Sequence, residues 1–309
     1  MSWQPSNDPR VDDRRDCPAL DLVVVPKTRD LGDLLVRRTL PQARRQMVGP
    51  FIFYDHFGPV EMEPGKGMDV RPHPHIGLAT VTYLLEGSIA HRDSEGNVQD
   101  IMPGAMNLMT AGRGIAHSER TPRALRQTGH RLHGLQSWIA LPVAHEETAP
   151  SFQHFPAESL PTVDGRGLKA RVIAGSAFGK TAPVEMFSDW FYVDVSLEPG
   201  ITVPLDADHE ERAIYIVEGA IEIGGERFSA GTDGGPQLLI FRPGDVIGVT
   251  ALAPSRVMFL GGAHMDGHRH IWWNFVSSSQ ERIEQAKADW KAGRFKPVPG
   301  ETEFIPLPE

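Results

Sequence analysis

A chain of 309 residues with 31 lysines and arginines against 40 aspartates and glutamates carries a formal net charge of −9, which argues against direct binding to a nucleic-acid backbone, since that needs a concentrated basic face. The single cysteine, Cys17, excludes an intramolecular disulfide and a thiolate metal cluster, and the abundance of glycine (31) and proline (26) favours many turns and short strands over long helices. No apolar run approaches the roughly 20 residues of a membrane span, and the polar start MSWQPSNDPRVDDRRD lacks the apolar segment of a signal peptide, so a cytoplasmic, reducing location is expected.

In chain order, residues 1–18 read as a polar, loosely ordered arm. From LDLVVV (20–25) onward, short β-branched and aromatic segments such as Val81–Leu85, Ile214–Val217 and Leu238–Phe241 alternate with turn signals at Glu95-Gly96-Asn97 and Pro243-Gly244-Asp245. The expected class is all-β, a sandwich or barrel.

The stretch VRPHPHIGLATVTYLLEG (70–87) places His73 and His75 two residues apart at the start of a strand. On a strand both imidazoles share one face, their Cα atoms roughly 6.5–7 Å apart. A divalent metal suits that arrangement; a rigid Pro72/Pro74 loop carrying two solvated histidines fits the spacing equally well. Downstream, TAGRGIAHSE (110–119) supplies His117 and Glu119, a second pair on one strand face. Three imidazoles and one carboxylate from two strands can close on a single ion. Asp55, His56, His91, His130 and His133 read as hydrogen-bonding or turn residues, Arg113 as a brace for the loop carrying His117, and Trp138 as core.

The chain repeats itself. TYLLEGSIAHRDSEG (82–96) is echoed by IYIVEGAIEIGGERF (214–228), with Gly87 and Gly219 separated by 132 residues, the span of a duplicated domain. Two tandem barrels are therefore expected, joined in the proline-rich segment 142–165. Laying Gly219 on Gly87 puts Leu205 and Ala207 where the first barrel has His73 and His75, so the second barrel should hold no metal. A further His-x-His pair, His268 and His270 in HMDGHRH with His264 nearby, has no paired carboxylate strand and reads as a weak rival. Near the end, SSSQERIEQAKADWKAG predicts an amphipathic helix over about 279–292, with Ser278 and Glu281 as a capping box, Ile283, Ala286 and Trp290 as its apolar stripe and Gly293 as its stop.

YDHFGP (54–59), RPHPHIGLATVTYLLEG, TAGRGIAHSE and GLQSWIALP (134–142), in that order, resemble the pirin family of bicupin proteins, and the tail WWNFVSSSQERIEQAKADW is similar to bacterial pirins. The resemblance implies two cupin (double-stranded β-helix) barrels with a C-terminal helix: a metal-binding domain at 19–145 and a ligand-free one at 146–309. Carried over by position, the family's metal ligands are His73, His75, His117 and Glu119. Thr80 stands where the general cupin pattern has its glutamate, and Gly112 where the second cupin motif has a proline; both departures are pirin-like. Histidines with one carboxylate suit Fe(II) first, with Ni, Mn, Co, Cu and Zn as alternatives.

Some pirins are described as quercetin 2,3-dioxygenases. On that resemblance the chain would open a flavonol ring with O2 and release CO, Glu119 serving as both ligand and base. Others are regarded as redox-sensitive co-regulators, which implies instead a protein partner and a metal that acts as a structural or redox centre. A monomer is expected, because two barrels in one chain already supply the usual cupin pairing.

Overall fold

Runs rich in Val, Ile, Phe and Tyr form large-sheet strands buried on both faces over most of their length, such as Leu78–Glu86 and Glu211–Glu218, and the chain assembles into two barrels, each a large sheet facing a four-stranded one. The computed structural model describes residues 9–13, 17–30, 34–230 and 237–308. The first large sheet has seven strands in the order Ser151–Phe155, Met106–Thr110, Leu78–Glu86, His130–Ala140, Phe51–Met62, Leu35–Leu40 and Lys27–Asp30. Its smaller partner sheet runs Asp69–His75, Ile115–Arg120, Ile89–Asp93, Val98–Ile101. The second barrel repeats the plan with an eight-stranded sheet and the four strands Thr202–Leu205, Ile247–Ala251, Ala220–Ile223 and Glu226–Ser229.

The sheets do not divide where the sequence suggested. Leu20–Val25, expected in the first domain, pairs with Leu238–Phe241 of the second barrel, and Ser151–Phe155, expected in the second, pairs with Met106–Thr110 of the first. Each half thus lends a strand that covers an edge of the other half's sheet, which protects that edge from solvent. Val23 and Val24, almost fully buried, show what this exchange conceals. Of the expected arm, residues 1–8 and 14–16 lie outside the described residues, and Arg10–Val11 forms a short strand against Val24 and Val25.

The two large sheets stack through tyrosine. All four tyrosines of the chain, Tyr54, Tyr83, Tyr192 and Tyr215, are fully buried there. The Tyr54 and Tyr192 hydroxyls meet at 3.0 Å, Tyr83 donates to Asp194 at 2.7 Å, and Tyr215 lies 2.8 Å from His56 Nδ1. The pattern reflects the duplication: Tyr83 and Tyr215 are equivalent, and each bonds the residue two places after the other half's Tyr192 or Tyr54. Burial raises all four phenols above their ordinary range, so they remain neutral hydroxyls.

His56 Nε2 in turn sits 2.7 Å from His133 Nε2, a contact with room for one proton. Burial holds His56 well below the usual imidazole range and His133 at about 4, with the Glu86 carboxylate opposing and Arg256 reinforcing the shift at His133. A base whose folded value is depressed binds its proton more readily when unfolded, so stability is full above about pH 6.5 and is lost as pH falls toward 4. The expected loss from His133 is on the order of 2–3 kcal/mol. Urea midpoints between pH 7 and 4 should show it, and His133→Gln should flatten the slope; an unchanged slope would remove the pair from the acid response.

In the second barrel Arg212, 1% exposed, occupies the position equivalent to Thr80. Its guanidinium donates to four backbone carbonyls: Asp206 (2.9 Å), Asp245 (3.0 Å), Gly244 (3.1 Å) and Arg242 (3.3 Å). It ties the end of Thr202–Leu205 to the turn that precedes Ile247–Ala251. Leu205 is buried and Ala207 exposed, so neither histidine position carries a ligand in this barrel.

The C-terminal helix spans Gln280–Lys291 and buries Ile283 and Ala286. Its cap is Ser279, whose Oγ accepts from Arg282 N at 3.2 Å, one residue later than the expected box; Ser278 instead donates its N–H and hydroxyl to Glu146. The helix packs on Ile76, Trp273 and Phe275, immediately after the metal-candidate strand, and so braces it.

Candidate metal centre

Strands Asp69–His75 and Ile115–Arg120 run antiparallel, with His117 opposite His73 and Ile115 opposite His75. Alternation turns His73, His75 and His117 to one face, each 1% exposed, and their ligand nitrogens lie within 4.8 Å of one another. Two of the rings are oriented by backbone: His73 Nδ1–H donates to Arg71 O at 2.9 Å and His75 Nδ1–H to Asn274 O at 3.1 Å. The third is oriented through a relay, His117 Nδ1 lying 3.4 Å from His91 Nδ1 and His91 Nε2 3.1 Å from the Asp93 carboxylate.

That wiring leaves the Nε2 lone pairs pointing inward. His73 Nε2 is buried without a hydrogen-bond partner, and His75 Nε2 and His117 Nε2 face each other at 3.1 Å. Burial, reinforced at His75 and His117 by the neighbouring imidazoles, pushes His73 down to about 3 and the other two well below the ordinary range. Neutral imidazoles held by their far nitrogens are what a divalent cation requires, and one cation would satisfy the orphaned Nε2 and relieve the facing lone pairs. The three residues could therefore hold a divalent metal.

Glu119 is placed differently. A register shift between His117 and Glu119 sets it opposite Val70. It is buried, with Gln136 Nε2 donating to Oε1 and Oε2 at 2.9 and 3.0 Å and Thr82 Oγ1 donating to Oε1 at 3.3 Å. The structure thus brings three of the four expected ligands together and seats the fourth two residues beyond His117 on the same strand as His117, outside that group of three.

Gln136 and Thr82 belong to a polar row that the sequence reading missed. Arg38, Asp55, Gln136, Thr82, Asn107 and His154 come from six successive strands of the large sheet and sit directly opposite one another in register. Arg38 and Asp55 pair with each other, Gln136 and Thr82 hold Glu119, and His154 Nδ1 lies 2.6 Å from Asn107 Oδ1. The signal was available only through strand pairing, because no two of these residues are close in sequence.

Other expectations resolve as follows. Asp55 and His56 lie within strand Phe51–Met62 rather than in a turn, the first bonded to Arg38 and the second between the barrels. His91 is more than a satisfied polar group, since it orients His117 while stacking on Phe152. Trp138 is core, stacked on Phe53 with an edge toward His75. Arg113 exposes its side chain but braces its loop through backbone, its N–H donating to Thr148 O. Gly112 has φ +51°, and a Cβ there would lie 2.1 Å from Thr148 O, so a proline, with its fixed negative φ, is excluded. Among the described residues no third ligand joins His268 and His270, with His264 bonded to Glu211, and the one group of three candidate ligands is His73, His75 and His117.

His91→Phe keeps a ring against Phe152 but removes the acceptor for His117 Nδ1. Metal affinity should fall about ten- to a hundredfold in chelator competition, with little change in unfolding midpoint. Unchanged affinity would show that His91 does not orient the ligand.

Comparisons with known proteins agree on ancestry. The Pirin family model matches residues 33–139 and that of the Pirin C-terminal cupin domain matches 192–296. A pirin-like protein of Caulobacter vibrioides is 52% identical over 295 residues, covering 94% of this chain and all of that protein. Among solved structures, one described as quercetin 2,3-dioxygenase from Acinetobacter baumannii superposes with a TM-score of 0.83 at 30% identity, covering 93% of this chain and 94% of the other. A bacterial pirin of Escherichia coli, solved in complex with nickel(II), shares the fold at TM-score 0.60 and 21% identity over 78% of this chain and 96% of its own. Two cupin barrels in tandem, a histidine triad in the first and matches along nearly the whole length make this chain a member of the pirin family.

Proposed function

We propose that the chain is a metal-dependent dioxygenase of the quercetin 2,3-dioxygenase type, with Fe(II) held by His73, His75, His117 and Glu119. The observation that carries this reading is the convergence of three buried, neutral imidazoles whose outer nitrogens are already committed, beside a carboxylate on the same strand. The structural likeness to the protein described as quercetin 2,3-dioxygenase from Acinetobacter baumannii supports a flavonol as the substrate class.

The bound metal would supply Lewis-acid polarisation of the flavonol 3-hydroxyl and a position for O2. The protein's own residues do the rest. The three histidines would hold the ion, and Glu119, on the same strand as His117, would accept the proton of the 3-hydroxyl. Gln136 and Thr82 hold the Glu119 oxygens and so set the direction from which that proton is taken. Both oxygen atoms of O2 enter the opened product, and CO leaves.

The test is O2 consumption and CO release by Fe(II)-loaded protein with quercetin. Turnover should depend on metal, and Glu119→Gln should keep at least part of the metal while losing turnover. Retained turnover in that variant would end the base role. No turnover with iron, nickel, manganese, cobalt, copper or zinc fully bound would favour the other reading, a redox-sensitive centre serving a protein partner.

A further inference from the structure

The reverse side of the strands that carry the triad faces a cavity. Pro72 and Ala116 alternate with His73 and His117 along their strands, so they point away from the triad, and they floor a concavity of about 740 Å³ roofed by the C-terminal segment. That volume lies within the range of small-molecule sites.

Its walls are aromatic. Phe295 and Phe304 both stand nearly perpendicular to the Trp290 indole, at 5.6 and 5.9 Å between ring centres. The indole is fixed because Nε1–H donates to Ile305 O at 2.9 Å, and the segment is fixed to the sheet because Ile305 N–H donates to Pro72 O at 2.8 Å. The cavity is therefore built before any ligand arrives.

Charge at the cavity selects among ligands. Of the two carboxylates on the lining, Glu301 accepts from Arg120 at 2.7 and 3.0 Å and from Ser118 at 2.9 Å, and Glu303 accepts from Arg120 at 3.1 Å, so both are engaged by the protein through a guanidinium that they share with Asp69. The two ammonium groups on the lining differ: Lys291 is exposed, and Lys296 makes a 3.4 Å surface contact with Glu95. Aromatic walls with Lys291 as a solvent-facing cation, and Lys296 in an exposed ion pair that a ligand anion can compete for, fit a flat ring that carries a negative group.

We propose that this cavity is a binding site for a planar aromatic anion, such as an aromatic carboxylate or sulfonate, separate from the metal centre and independent of the oxygenase reading. The rings take the flat face of the ligand and Lys291 and Lys296 take its charge. The site shares two strands with the triad, one residue away from His73 and one from His117.

The probe is 1-anilinonaphthalene-8-sulfonate, titrated by fluorescence into full-length, metal-loaded protein. Saturable binding at one per chain is expected. Lys291→Glu/Lys296→Glu should weaken it roughly tenfold, and Phe304→Ala, which alters an exposed ring, should weaken it severalfold. His75→Ala should leave it intact, which separates this site from the metal. The uncharged N-phenyl-1-naphthylamine should bind the native chain about as weakly as the sulfonate binds the double variant. Non-saturable binding, or equal affinity in the native chain and these cavity variants, would overturn the proposal; loss of binding in His75→Ala would assign the probe to the metal centre and overturn it as well.

Discussion

His75→Ala should leave the chain folded and unable to retain a divalent ion at stoichiometric levels after desalting, whereas His268→Ala should retain the ion as the native chain does. The contrast follows from wiring rather than residue type, since both histidines lie in a His-x-His pair. His75 presents Nε2 to His117 at 3.1 Å because Asn274 O holds its other nitrogen, while among the described residues no third ligand joins His268 and His270. Removing one of three converging donors should cost more than the ten- to hundredfold typical of an outer-shell partner. Metal content by elemental analysis reads the result, and a His75→Ala protein that keeps one equivalent would place the ion elsewhere.

Asp55→Ala should cost about 3–5 kcal/mol of stability. Arg38 donates to both Asp55 oxygens at 2.7 Å, with side chains 3% and 0% exposed, and its guanidinium lies 4.1 Å from the centre of the Phe53 ring. Deleting the carboxylate leaves a cation in a space shaped for an ion pair. Arg38→Met/Asp55→Leu should recover most of the loss, because the pair's attraction largely offsets the desolvation of its members and two apolar groups escape both terms. Urea denaturation of the two variants measures this; a single variant as stable as the double would mean that water already reaches the pair. Asp55 sits next to Gln136 in the polar row, so the single variant should also disturb the hold on Glu119.

How much of this could be read from the sequence depended on whether the information was local. His73 and His75 are two residues apart, so strand period allowed a shared face, although a solvated loop fitted the spacing equally well and the full ligand set came with the family resemblance; the stripe of Ile283 and Ala286 on the helix was legible from its period. The duplication also showed directly, through the matched Glu-Gly pairs before the second strand of each echo. What escaped depended on pairing between distant strands. Leu20–Val25 carries no mark of the barrel it joins, because a buried strand is equally apolar on either sheet. The relay from His117 through His91 to Asp93 arises because Glu119 pairs with His91 and His117 with Asp93, a register that no spacing reveals. The helix cap moved by one residue because Glu146, far away in sequence, claimed Ser278 first.

Arg212 gives the two barrels different chemical dependencies. In the first, a cation linking Asp69–His75 to Ile115–Arg120 would come from solution and could be withdrawn by a chelator, exchanged for another metal or altered by an oxidant. In the second, the cation bridging the equivalent region is a guanidinium joined to the backbone, always charged and inert to all three. A divalent ion at the triad would therefore make the strand link of the first barrel sensitive to chelation, while the Arg212 bridge of the second would stay in place.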